Sequence, residues 1–133
     1  MTSRQRSKSR YKRTIRWNQV YKWCEELAKQ IKPLEYRTIL VVKNGGVIPG
    51  SMLAYMLGAD TYQVYPDMST CITGHVLLFD DVCDTGETFI NLCKKSDCNF
   101  TTACLVNKPW TKYKPDFYAC ETKDWVVLPW EKS

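Results

Sequence analysis

Histidine is nearly absent from this chain: His75 is the only one in 133 residues. There are seven cysteines, an odd number, and no two form a Cys-x-x-Cys pair. A zinc site draws several cysteine or histidine ligands from short spacings, so this scarcity argues against one. Cysteines embedded in apolar runs, such as Cys104 in Ala103-Cys104-Leu105-Val106, read as small buried hydrophobes in a reducing compartment. No stretch approaches the roughly 18 consecutive apolar residues of a membrane span. No apolar run follows the first basic residues, so no secretory signal is expected. There is no internal repeat and no length for a second domain. The expectation is a soluble, cytoplasmic, single-domain protein.

Acid is missing from the first 16 residues, which carry Arg4, Arg6, Lys8, Arg10, Lys12, Arg13 and Arg16. These are seven of the 19 basic residues, and setting them aside leaves 12 bases against 14 acids. The net charge of +5 therefore belongs to residues 1–16, and residues 17–133 form a near-neutral domain. The tail lacks apolar periodicity, so a disordered solubilising arm is the plain reading. Contact with nucleic acid or an acidic partner is the alternative.

The body alternates strands and helices. Val20, Trp23, Cys24, Leu27 and Ile31 recur at helical spacing from Trp17 onward, and Pro33 closes that helix. Residues 38–42 are short and β-branched, a buried strand. Asn44-Gly45-Gly46 makes a turn into a helix over 47–57, with Pro49 in its first turn and Gly58 after its end. Strands are expected over 62–65, 76–79, 102–106, 117–120 and 125–128, and a helix over 87–95. This order implies an α/β fold with a twisted, mostly parallel sheet flanked by helices. Ligands in such sheets bind beyond the carboxyl ends of the strands, near a switch in strand order.

Asp80 to Thr88 carry the clearest chemistry. An apolar strand runs into Asp80-Asp81, and paired carboxylates there are costly to desolvate unless they meet hydroxyls or a cation. A ribose diol and a magnesium ion supply both. Asp84-Thr85-Gly86-Glu87-Thr88 then opens a helix, whose unpaired N–H groups and positive dipole end suit a phosphate. Gly86 allows close backbone approach, while Thr85 and Thr88 add hydroxyl donors. An acidic helix cap alone would explain Asp84 or Thr85 but not the double acid. The segment fits a phosphorylated ribose.

The run of apolar strand, two acids, two apolar residues and Asp-Thr-Gly-x-Thr resembles the ribose-phosphate signature of type I phosphoribosyltransferases. The resemblance implies that Asp80 and Asp81 face the ribose hydroxyls of phosphoribosyl pyrophosphate, with Asp81 also near Mg2+. It implies that Thr85, Gly86, Glu87 and Thr88 hold the 5-phosphate and that Asp84 manages the proton at the purine N7.

Lys43-Asn44-Gly45-Gly46 is similar to the pyrophosphate loop of the xanthine-guanine branch, where a non-proline cis peptide is common. That branch has arginine where Asn44 stands. Asn107-Lys108-Pro109 and Asp124-Trp125-Val126 resemble its C-terminal base-binding hood. By that resemblance Lys108 donates to the 6-oxo group, Trp125 stacks on the ring and the Val126 backbone reads the base edge. The resemblance covers about residues 17–131 and leaves the basic tail outside.

The family likeness implies a pentosyltransferase that joins a 6-oxopurine (guanine, xanthine or hypoxanthine) to phosphoribosyl pyrophosphate, in a homo-oligomer. The lid loop is shortened: only residues 66–75 separate Tyr65 from Val76. A lid excludes water from the reacting centre. A non-catalytic binder of phosphoribosyl pyrophosphate or nucleotide is therefore the competing expectation.

Overall fold

Parallel ladders organise the computed structural model, which describes residues 11–66, 74–94 and 100–131. The elements in chain order are β1 (Lys12–Thr14), α1 (Trp17–Ile31), β2 (Thr38–Val42), α2 (Val47–Leu57), β3 (Asp60–Val64), β4 (Leu77–Cys83), α3 (Glu87–Lys94), β5 (Thr101–Asn107), β6 (Phe117–Glu121) and β7 (Trp125–Val127). The main sheet has the order β3-β2-β4-β5-β6, with every pair parallel. Most of the expected lid segment, residues 67–73, lies outside the described residues. So do residues 1–10 of the basic tail.

Alternation along the central strands divides the core in two. Ile39, Val41, Leu77, Phe79, Ala103 and Leu105 point to the side that carries α1 and α2. Leu40, Val42, Leu78 and Cys104 point the other way, onto Phe89 and Leu92 of α3. Both faces are covered, so these strands read as unbroken apolar runs. The α1 stripe of Val20, Trp23, Cys24, Leu27 and Ile31 is buried as its spacing requires. Leu27 is fully buried, and truncating it to alanine would cost about 2–5 kcal/mol. Gly58 ends α2 in the left-handed region at φ 67°, its N–H reaching the carbonyls of Ala54 and Tyr55.

Three differences from expectation exceed a single residue. Residues 12–14, placed in the tail by their charge, form β1 and pair in parallel with β7. The ladder continues through Ile15 N–H to the Val127 carbonyl at 2.8 Å. Their exposed side chains hide a backbone role, because β7 leaves an edge whose polar groups need partners. The folded domain thus reaches back to Tyr11. β3 begins at Asp60, two residues before the expected start, because β2 pairs along its whole length from Thr38↔Asp60 to Val42↔Val64. β4 continues to Cys83, so Asp80 and Asp81 lie within the strand.

Candidate active site

The cleft arises where β4 parts from β2. Their pairing stops at Val41↔Phe79, while β4 stays beside β5 to Cys83↔Asn107. The chain leaves β2 outward to β3 and returns on the other side of β2 as β4, which makes this gap the switch in strand order. A cavity of about 480 Å³ opens there.

Asp80 and Asp81 are partly buried on its floor. Asp80 Oδ1 accepts the Asp81 N–H at 2.8 Å, and Asp81 Oδ1 accepts the Val82 N–H at 2.8 Å. Opposite them runs the connection from β2 to α2, with a cis peptide between Lys43 and Asn44. A Cβ on Gly45 would stand 2.3 Å from Asp81 Oδ2, so only glycine lets this backbone lie against that carboxylate. Lys43 donates to the Tyr65 hydroxyl at 3.3 Å, with its ammonium 5.0 Å from that ring's centroid.

Beyond β4 the chain turns through Asp84 and Thr85 into α3. Thr85 Oγ1 accepts the Glu87 N–H at 3.3 Å, a local cap. Gly86 has φ 88°, and a Cβ there would meet Thr111 Oγ1 and Tyr113 N at 2.7 Å. The close approach this glycine permits is to the loop after β5. That loop is tied down by Lys112 N–H to the Thr85 carbonyl and Lys108 N–H to the Cys83 carbonyl, both at 3.0 Å. Asp84 is only 5% exposed, and its Oδ1 accepts the Trp110 indole N–H at 2.7 Å.

The cavity lining brings together Lys43, Asn44 and Gly45 with Asp80, Asp81 and the run from Asp84 to Thr88. Gly46 lies just behind, packed on the carbonyls of Val42 and Phe79. Lys108, Trp125 and Val126 do not line this cavity. Lys108 is 2% exposed and donates to the Asp124 carbonyl, with its ammonium 5.7 Å from the Trp110 ring centroid. Trp125 and Val126 belong to β7, and the Val126 side chain is core.

Three contributors escaped the sequence reading. Tyr65 lies just beyond the carboxyl end of β3 and meets Lys43. Trp110 meets Asp84, and Trp130 donates from Nε1 to Asp81 Oδ2 at 3.2 Å while lining the cavity. Pairings 26 and 49 residues apart leave no local signal.

Burial pushes the thiol of Cys83, also in the lining, up to about 11; the Thr111 hydroxyl lowers it less, and Asp80 and Asp84 add small raises. It is therefore protonated near neutrality and unsuited to nucleophilic work. Among the described residues no cluster of three histidine, cysteine or acidic side chains forms a closed metal site. Two adjacent carboxylates beside an open cavity instead suit a hard cation that takes its remaining oxygens from a bound substrate.

No protein-family model matches the chain. The xanthine-guanine phosphoribosyltransferase of Gluconobacter oxydans is 25% identical over 156 aligned positions, covering 100% of this chain and 92% of the relative. That of Vibrio parahaemolyticus is 27% identical, covering 90% and 88%. A purine phosphoribosyltransferase from Pyrococcus horikoshii superposes with a TM-score of 0.82 at 28% identity, covering 92% of this chain and 95% of that one.

Proposed function

We propose that the chain is a type I phosphoribosyltransferase that transfers the phosphoribosyl group of phosphoribosyl pyrophosphate to N9 of a 6-oxopurine, a reading supported by its likeness to xanthine-guanine and purine phosphoribosyltransferases. The observation that carries this reading is the cleft between β2 and β4. It sets Asp80, Asp81 and Asp84 opposite the Lys43 to Gly45 backbone and beside the start of α3. A sugar diol, a 5-phosphate and a leaving pyrophosphate each find the chemistry they need within one cavity.

In this reading the ribose hydroxyls lie on Asp80 and Asp81, and the 5-phosphate lies on residues 85–88 at the positive end of α3. Lys43 and the backbone at Asn44, Gly45 and Gly46 receive pyrophosphate as its bond to C1 breaks. N9 bonds to C1, giving a nucleoside monophosphate, and Asp84 accepts or positions the N7 proton. Lys108 addresses the 6-oxo group, Trp125 stacks on the base and the Val126 backbone reads its edge. Mg2+, which Asp81 would hold with substrate oxygens, would neutralise and orient the leaving group. Water-filled access must be limited for transfer to outrun hydrolysis, and a homo-oligomer in which a second copy covers the cleft belongs to the proposal. Among the described residues no helix is long and apolar enough to cross a membrane.

The test is product formation from guanine, hypoxanthine and xanthine, each with phosphoribosyl pyrophosphate and Mg2+. Nucleotide and pyrophosphate appearing together support the transferase and rank the bases. Tight binding of phosphoribosyl pyrophosphate without turnover would favour the regulator, to which Asn44 and the ten residues 66–75 already point.

A further inference from the structure

Asp84 and Lys108, the two side chains assigned to the purine's N7 and 6-oxo group, both meet one ring that has no part in that scheme. The Trp110 indole N–H donates to Asp84 Oδ1 at 2.7 Å, and the Lys108 ammonium stands 5.7 Å from the same ring's centroid. The first distance is that of a charge-assisted hydrogen bond, and the second lies within cation–π reach. Trp110 is 45% exposed, whereas Asp84 and Lys108 are 5% and 2% exposed. The indole therefore reaches both buried groups from the solvent side.

The turn that carries Trp110 is anchored on either side of it. Lys108 N–H is fixed to the Cys83 carbonyl and Lys112 N–H to the Thr85 carbonyl, both at 3.0 Å, so the two bonds straddle Asp84 on the opposing strand end. Thr111 N–H closes the turn on the Lys108 carbonyl at 3.1 Å, and Gly86 packs against Thr111 and Tyr113 with no room for a side chain. An indole on so constrained a backbone loses little further entropy in holding a carboxylate.

We propose that Trp110 is a positioning residue of the transfer reaction, holding Asp84 in one rotamer and at a fixed spacing from Lys108, so that the base meets an acceptor and a donor already in register. This role rests on the proposed transferase function. Without the indole N–H, Asp84 loses one of the contacts that fix its rotamer. Groups that hold ribose and phosphate are untouched, so the loss falls on turnover and on the base rather than on phosphoribosyl pyrophosphate.

The experiment compares wild type, Trp110→Phe and Trp110→Ala in steady-state kinetics, with thermal denaturation of each. Trp110→Phe keeps an aromatic cover and removes the donor. The expected result is a fall of about tenfold in kcat, the range one charge-assisted hydrogen bond carries. KM for phosphoribosyl pyrophosphate and Tm should stay near wild type, and Trp110→Ala should resemble Trp110→Phe. A Trp110→Phe enzyme with wild-type kcat would overturn the role while leaving the transferase intact. In parallel, the indole N–H resonance of Trp110 in 15N-tryptophan-labelled protein, assigned by its loss in Trp110→Phe, should move in Asp84→Asn. A resonance indifferent to Asp84→Asn would also overturn the role. A wild type inactive on every oxopurine would instead remove the transferase function, and this role with it.

Discussion

Trp130 and Asp81 meet at the cavity wall, the indole Nε1 donating to Oδ2 at 3.2 Å across 49 residues of sequence. The same oxygen faces the bare Cα of Gly45, where a Cβ would come within 2.3 Å. Asp81 is therefore held between the segment after β7 and the loop after β2. Trp130 is in turn seated against Trp17, with ring centroids 5.8 Å apart, so the start of α1 supports the site through one aromatic pair.

Trp130→Phe removes the donor and keeps most of the packing. Freed on that side, Asp81 loses orientation toward a substrate-bound cation. KM for phosphoribosyl pyrophosphate should rise by about three- to tenfold, as expected for one lost hydrogen bond to a charged group. Raising Mg2+ should recover part of the loss. A KM that is unchanged across a Mg2+ titration would disprove the orienting role of Trp130.

Two glycine-to-alanine variants separate site from scaffold. In Gly45→Ala the new methyl strikes a side chain that can rotate, so Asp81 moves and substrate affinity falls with Tm close to wild type. In Gly50→Ala the methyl strikes Val41 Cγ1 at 2.3 Å and Phe79 Cδ2 at 3.1 Å, inside the packing of α2 on the sheet. Overpacking of that kind costs about 1–3 kcal/mol. Gly50→Ala should lower Tm by several degrees and leave KM unchanged in the folded fraction. The reverse pattern, a destabilised Gly45→Ala and a catalytically impaired Gly50→Ala, would contradict the geometry.

The contrast between these glycines also marks what could be read in advance. The sheet, its helices and the acidic run were legible because their signals are local. Alternation along β2, β4 and β5 follows from one buried set per face, and the α1 stripe from its helical period. The strand β1 was not legible, because Lys12, Arg13 and Thr14 look like tail until β7 supplies a partner. Gly86 read as a site for close anion approach; its backbone lines the cavity, and the side where a Cβ would stand is filled by Thr111 and Tyr113, a contact no spacing announces. Nothing in the spacing of Trp110 or Trp130 connects them to Asp84 or Asp81, since those contacts exist only after the strands are ordered.

Asp84→Asn preserves shape and removes charge. The side chain still accepts from Trp110 but no longer serves as an anionic partner to the purine N7. The expected outcome is phosphoribosyl pyrophosphate binding within about twofold of wild type, with kcat reduced by at least about a hundredfold, the usual weight of a positioned acid–base group. Isothermal titration and single-turnover assays measure the two separately. Wild-type turnover in Asp84→Asn would remove Asp84 from the chemistry.

Alkaline stability should report on the buried thiols. Burial pushes the Cys24 thiol from 9.0 up to about 12, and Cys24 sits fully buried on the inner stripe of α1. Between these two values the unfolded chain gives up its proton while the folded chain keeps it. The folded state then binds more protons, so stability is independent of this group below about pH 9 and falls as pH rises toward 12. Cys83 adds the same sign over the shorter interval from 9.0 to about 11. Tm measured from pH 8 to pH 11 should therefore decline, and Cys24→Ala should show a shallower decline from a lower starting Tm, since it leaves a small cavity. Equal slopes in the two proteins would mean that Cys24 ionises as readily in the fold as out of it, against the burial seen on α1.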